Sequence, residues 1–279
     1  MRAGLAGNLA EYVLADRHGT RVRTADLDYN GQAAGYASDP QETINYVAAH
    51  DNETLFDINQ YKLPVATSMD DRVRVVNLAN SLVMLAQGVP FFHAGQELLR
   101  SKSLDRNSFD SGDWFNPLDY SYTHNGWGRG LPPAWDNLDN WPVAAPLLAD
   151  PALKPGPEHM QAAADHFREL LQIRRSTPLF RLRTAAEVNA RLRFHNTGPD
   201  QQPGLIVMSL AGEDETVVVL FNAAPRAAVF AFDGAGYGLH PVQQASADPH
   251  LEQAAFDEAA GIFRVPARTA AVFVSPGID

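Results

Sequence analysis

The chain has 279 residues, enough for one large domain or two of ordinary size, and its 45% apolar and 20% charged residues are ordinary for a folded globular protein. A net charge of −11 disfavours nucleic acid, whose binding rests on neutralising phosphates with Lys and Arg. The absence of cysteine excludes disulfides and thiolate metal sites, and no apolar run reaches the ~18 residues of a transmembrane helix.

Residues 1–14 place Leu5, Leu9, Val13 and Leu14 at helical spacing, so a helix is expected there. Residues 15–40 are rich in Gly, Asp, Asn and Arg and read as irregular connection. Thr43 to Asn52 is a short apolar run, with Ile44, Tyr46 and Val47, that ends in His50, Asp51 and Asn52. It reads as a buried strand delivering three polar groups at its C-terminal end. Glu53 to Asp70 reads as a polar loop. A helix follows through about Gln87, capped by Ser68 or Asp70 and closed by Gly88. Val89 to His93 is a second short apolar run and leads into His93-Ala-Gly-Gln-Glu97. Strand, loop, helix and strand in this order predict a βαβ unit with parallel strands.

Residues 98–157 form a long connection holding all four tryptophans (Trp114, Trp127, Trp135, Trp141) together with Phe109, Phe115, Tyr120 and Tyr122. Disordered segments are poor in aromatics, so this one should be folded. Rings beside Asp, Asn and Arg suit a sugar-binding surface; rings that only pin down a long loop are the alternative. Glu158 to Arg175 is a helix stopped before Pro178. Beyond it, apolar runs at 191–194, 204–210, 216–222, 227–232, 262–265 and 270–274, separated by turn residues, predict an antiparallel sandwich.

His50, Asp51, Asn52 and Glu97 are the polar groups expected at the two strand ends. Asp51 and Glu97 form the one obvious carboxylate pair for glycosidic hydrolysis, which needs two. A metal-dependent phosphohydrolase would need further ligands, and His18, His93, His124 and His159 lack ligand spacing. There is no Gly-x-Ser-x-Gly turn and no Gly-rich phosphate loop.

The stretch from Tyr46 to Leu55, Tyr-Val-Ala-Ala-His-Asp-Asn-Glu-Thr-Leu, resembles the fourth signature region of the α-amylase superfamily of glycoside hydrolases, and more narrowly the pullulanase and limit-dextrinase type of α-1,6-glucosidase. Further matches to that group occur from Ala6 to Leu9, Tyr29 to Gln32, Asp39 to Tyr46, Phe92 to Glu97, Ser111 to Asn116, Asp139 to Pro142 and Ser176 to Leu182, covering nearly the whole chain. The resemblance implies the C-terminal part of a (β/α)8 barrel, its last two strands and helices (residues 1–178), followed by an antiparallel β-sandwich (residues 179–279). It implies His50 as a donor to sugar hydroxyls and Asp51 as the catalytic transition-state stabiliser. Asn52 would lie beside them, with Arg106 and Asp139 contacting a neighbouring glucose. The implied ligand is a branched α-glucan such as pullulan, amylopectin or limit dextrin.

The family's nucleophile strand, of the type Gly-Phe-Arg-Phe-Asp, is absent here, as are its glutamate acid/base and its Asp-Val-Val-Tyr-Asn-His-type region. All three are expected before residue 1, so the chain reads as the C-terminal portion of a debranching enzyme, inactive alone, with the missing N-terminal part of the barrel as its partner. A non-catalytic α-glucan-binding or structural module is the alternative. No cofactor is expected, and the sequence does not decide whether the intact enzyme binds calcium. Without a convincing signal segment the chain as it stands reads as cytoplasmic, with the parent enzyme's compartment left open.

Overall fold

The apolar runs after Pro178 become strands because β-branched and aromatic residues recur there between turn residues. A computed structural model describes residues 1–276. The chain divides into two compact units, one of Met1–Asn45, Ser81–Phe91 and Glu169–Asp279, the other of Tyr46–Asn80 and Phe92–Arg168.

In the first unit a five-stranded antiparallel sheet has the order Gly238–Leu239, Thr269–Pro276, Glu215–Asn222, Leu205–Ala211 and Leu192–Phe194. Its central register sets Val219 opposite both Val272 and Met208. A three-stranded sheet has Ile262–Val265 between Ala228–Ala231 and Ala255–Asp257. Val218, Leu220, Leu205 and Phe273 of the larger sheet share one apolar core with Phe263 and Val265 of the smaller. Leu251, from the helical turn Pro249–Gln253, enters the same core. Phe263 is fully buried and its ring meets Phe256, Phe273, Phe232 and Tyr237 at centroid distances of 4.6 to 5.3 Å.

The same unit holds a parallel pair, Ile44–Asn45 with Val89–Pro90, closed by Asn45 Nδ2 donating 2.6 Å to Gln87 O. Gly88 has φ +94°, and a Cβ there would fall 2.6 Å from Thr43 Oγ1, so only glycine fits this turn. The expected N-terminal helix shrinks to Arg2–Leu5, because Gly7 and Asn8 both take left-handed backbone angles and end it.

The second unit is built on helix Leu55–Lys62, the first part of Met69–Met84 and most of Pro157–Ser176. Phe56, Val73, Val76, Leu99, Leu104, Trp127, Leu147 and Met160 form its core, with the Phe56 and Trp127 rings edge to face at 5.7 Å. Leu55–Lys62 lies where a polar loop was expected. Thr54 caps it by accepting from Asp57 N at 3.0 Å. Its Asp57, Asn59 and Gln60 point inward and are satisfied there, which is why polarity misrepresents this segment as loop. Residues 98–157 carry short helices, including Ala134–Asn137 and Trp141–Ala149, and several 3₁₀ turns.

The expected architecture, barrel strands and helices followed by a β-sandwich, is corrected by these findings. The chain is a mixture of helices and small sheets, and no barrel closes among the described residues. Parallel pairing is limited to two residues per strand. The run after Asn45 leaves strand conformation, and the carbonyls of His50 and Asn52 are taken by the Lys102 ammonium instead of a neighbouring strand. The strands after Pro178 are interrupted by helical segments, Pro241–Gln244 and Pro249–Gln253, and form two small separate sheets.

Replacing Phe263 with Ala removes the ring at the centre of the first unit's aromatic cluster. The expected cost is about 3–5 kcal/mol, read as a lower denaturation midpoint with Leu→Ala at exposed Leu171 as a near-neutral control.

Candidate functional site

The second unit carries an open cleft of about 260 Å³ lined by His50, Asp51, His93, Arg100, Lys102, Asn107, Ser108, Phe109 and Asn116. Two loops build it. The first, Tyr46 to Glu53, presents His50 and Asp51, whose side chains are 84% and 78% exposed, with His50 Nδ1 3.1 Å from Asp51 Oδ1. Asn52 turns this loop at φ 60°, a left-handed angle that asparagine tolerates better than most residues.

The second loop, Arg100 to Ser103, is held at both ends by buried leucines, Leu99 and Leu104, at φ 59° and 66°. Between them lies a fully buried carboxylate, Asp57. It accepts from Ser101 Oγ at 2.5 Å and from Lys102 N at 2.7 Å. Burial pushes its carboxyl up to about 6, against the lowering effect of hydrogen bonds from Ser101, Lys102, Leu104 and Thr54. Lys102, 1% exposed, sends its Nζ to His50 O at 3.1 Å and Asn52 O at 2.9 Å, so the second loop ties down the first. Behind it, Ser101 N donates to Asn125 O at 2.7 Å. A Cβ on Gly126 would stand 2.2 Å from Ser101 O, so that approach requires glycine.

Arg100 donates to His93 Nε2 at 3.0 Å, Ala94 O at 3.2 Å and Asn116 O at 2.8 Å. Desolvation, then the charges of Arg100, Lys102 and His50, lower the His93 imidazole to about 4. It is neutral at pH 7, and with Nε2 accepting from Arg100 its proton sits on Nδ1. The cleft thus combines a neutral imidazole, two cations, amides, a hydroxyl and one aromatic ring. Asp51 is the single carboxylate among its lining residues. That set can bind hydroxyls, and its one anion, Asp51, can stabilise positive charge, but it lacks a second carboxyl group for acid/base work. Among the described residues no His, Asp and Glu cluster is arranged to hold a metal ion.

Of the residues singled out from the sequence, His50 and Asp51 meet in this cleft. Asn52 lies beside them with its carbonyl on Lys102. Arg106 is not among the lining residues; its Nε is 3.3 Å from Asp136 Oδ2, while its neighbour Asn107 lines the cleft. Asp139 is exposed in the turn Leu138–Asn140, and Glu97 sits in the turn Gln96–Leu98; neither lines the cleft. Sequence reasoning missed Arg100, Lys102 and Asn116. The only signal was two cations, Arg100 and Lys102, close together in an acidic chain, and nothing local marks a lysine as buried.

The family model for pullulanase-type alpha-1,6-glucosidases, C-terminal, matches residues 122–276, more than half of the chain. The chain is 48% identical to the chloroplastic pullulanase 1 of Arabidopsis thaliana over 98% of its own length and 30% of that protein. It is 38% identical to the pullulanase of Klebsiella pneumoniae over 99% of its length and 26% of that protein. The crystal structure of Klebsiella pneumoniae pullulanase complexed with maltotriose superimposes with a TM-score of 0.92 at 38% identity, covering 100% of this chain and 27% of that one. The chain spans less than a third of the length of these relatives. By the family match and these identities, the chain belongs to the pullulanase-type α-1,6-glucosidases, whose C-terminal region it contains.

Proposed function

We propose that this chain supplies part of the substrate-binding face of a starch-debranching α-1,6-glucosidase and does not hydrolyse glucan by itself. The observation that carries this reading is that Asp51, beside His50 in a cleft that two cations and an aromatic ring also line, is the cleft's single lining carboxylate. In the proposed reaction His50 donates to hydroxyls of the sugar being cleaved, and Asp51 binds hydroxyls as oxocarbenium-like charge develops. Asn52 supports that turn, and Arg106 and Asp139 contact an adjoining glucose. A retaining mechanism needs a nucleophile and an acid/base in addition, and both come from outside these 279 residues. The ligand is a branched α-glucan: pullulan, amylopectin or limit dextrin.

A second reading, glucan binding without catalysis, is favoured by the exposed aromatics of the same unit. Phe109 is 83% exposed and stands edge to face with Trp135 at 5.5 Å, offering apolar faces to sugar C–H groups.

The purified chain is expected to release no maltotriose from pullulan; release that Asp51→Asn abolishes would overturn the proposal. Its migration should be retarded in gels containing amylopectin, and the Phe109→Ala/Trp135→Ala pair should remove most of that retardation. Unretarded wild-type protein would exclude the binding reading. In a retarded sample, Asp51→Asn should weaken glucan affinity by about tenfold, the scale of a lost charged hydrogen bond.

A further inference from the structure

Lys102 is the side chain whose position the family resemblance leaves without a role. It lines the cleft, yet its stem is buried and its ammonium faces two backbone carbonyls of the other loop, those of His50 and Asn52. A buried ammonium is costly unless its protons find acceptors and opposite charge lies near. Both conditions are met. Two of its three donors are used, and Asp57, Asp105 and Glu53 act on it favourably, against Arg100 and the desolvation that lowers its pKa. Its backbone is fixed from below, where Lys102 N donates to the buried Asp57 carboxylate at 2.7 Å and Ser101 Oγ donates at 2.5 Å.

The loop that Lys102 grips is anchored at Ala48, which is buried in the unit's core, and opens to solvent over His50 to Asn52. Tyr46 to Glu53 carries no helix or strand, His50, Asp51 and Asn52 are exposed, and Asn52 holds a left-handed angle. The two carbonyls that accept from Nζ bracket Asp51, one residue on each side. The His50 carbonyl belongs to the peptide leading into Asp51 and the Asn52 carbonyl to the peptide leading out of Asn52, so holding both restricts the two-residue backbone, Asp51 and Asn52, that lies between them.

We propose that Lys102 is a positioning residue: its ammonium, seated through Asp57, clamps the carbonyls on either side of Asp51 and so sets the orientation in which Asp51 and His50 face the cleft. Lys102 acts through the loop, and the consequence for glucan, though not the clamp itself, rests on the reading given above.

The test uses the 279-residue chain and its Lys102→Met and Lys102→Arg variants. In Lys102→Met, amide hydrogen exchange across residues 46–54 should quicken by about tenfold or more, the effect of losing a charge-assisted bond, while helix Pro157–Ser176 exchanges as before. The His93 ring should also titrate at a midpoint above its wild-type value of about 4, because Lys102 is one of the charges that lower it. A volume change without a charge role would leave that midpoint where it is. Lys102→Arg keeps the charge and should keep the midpoint low. Unchanged exchange at 46–54 in a folded Lys102→Met protein overturns the proposal.

Should Lys102→Met not fold, the wild-type ammonium decides. Slowly exchanging Nζ protons coupled to the carbonyl carbons of His50 and Asn52 support the clamp, and a freely exchanging ammonium overturns it. Titration with maltotriose separates the two readings. Wild-type binding that weakens in Lys102→Met supports both. A wild-type chain that takes up no maltotriose counts against the glucan reading, while the exchange result still decides Lys102.

Discussion

Asp57 is a carboxylate without solvent contact, and the cleft of the second unit hangs from it. A bare carboxylate at that depth would be neutralised; here Ser101 Oγ, Lys102 N, Leu104 and Thr54 surround it with donors. Burial still dominates, raising the carboxyl from 3.8 to about 6, so the folded state holds this proton more tightly than the unfolded chain does. The group's favourable contribution is therefore full below about 3.8 and lost as pH rises through about 6, a swing of about 3 kcal/mol. At neutral pH the protein tolerates a buried anion, and what it gains is a rigid seat for the Ser101–Lys102 backbone.

Helix Leu55–Lys62 places Asp57 there through its Thr54 cap, and the two left-handed leucines fold the Arg100–Ser103 loop over it. Backbone angles of this kind cost energy in non-glycine residues and persist where packing over-determines them. Leu99 and Leu104 are both 1% exposed in the core, which supplies that packing. The result is a cleft whose cations are fixed while its anion, Asp51, remains open to solvent. Under the proposed function this division suits a binding face: hydroxyl groups of a neutral glucan meet oriented donors, and a single negative charge lies where positive charge would develop.

The first unit is stabilised by different means. Its two larger sheets, of five and three antiparallel strands, satisfy backbone groups along their ladders, and in the core they share, Phe232, Tyr237, Phe256 and Phe273 meet Phe263 edge-on or tilted. The strand residues from Leu205 to Asn222 and from Ile262 to Val265 were legible because β-branched residues recur between Gly, Pro, Asn and Asp. How those strands divide into sheets was not legible, since pairing partners such as Val219 and Val272 lie far apart in sequence.

What the sequence determined by itself was composition-level and motif-level: no disulfides, helices near Met69–Met84 and Pro157–Ser176, strands after Pro178, and the matching stretches that place the chain in its family. Periodicity, caps and turn residues are local signals, and they carried those conclusions. Tertiary structure alone decided the rest. Tyr46 to Asn52 has strand-like composition, yet its end is a loop, because a lysine some fifty residues later takes its carbonyls. Asp57 reads as a loop residue and is a buried anchor, because polarity in sequence does not reveal which polar groups find partners inside. His50 and Asp51 could be named from their own stretch; the cations that share their cleft come from the Arg100–Ser103 loop and the ring from the turn Ser108–Asp110, both brought beside them only by folding.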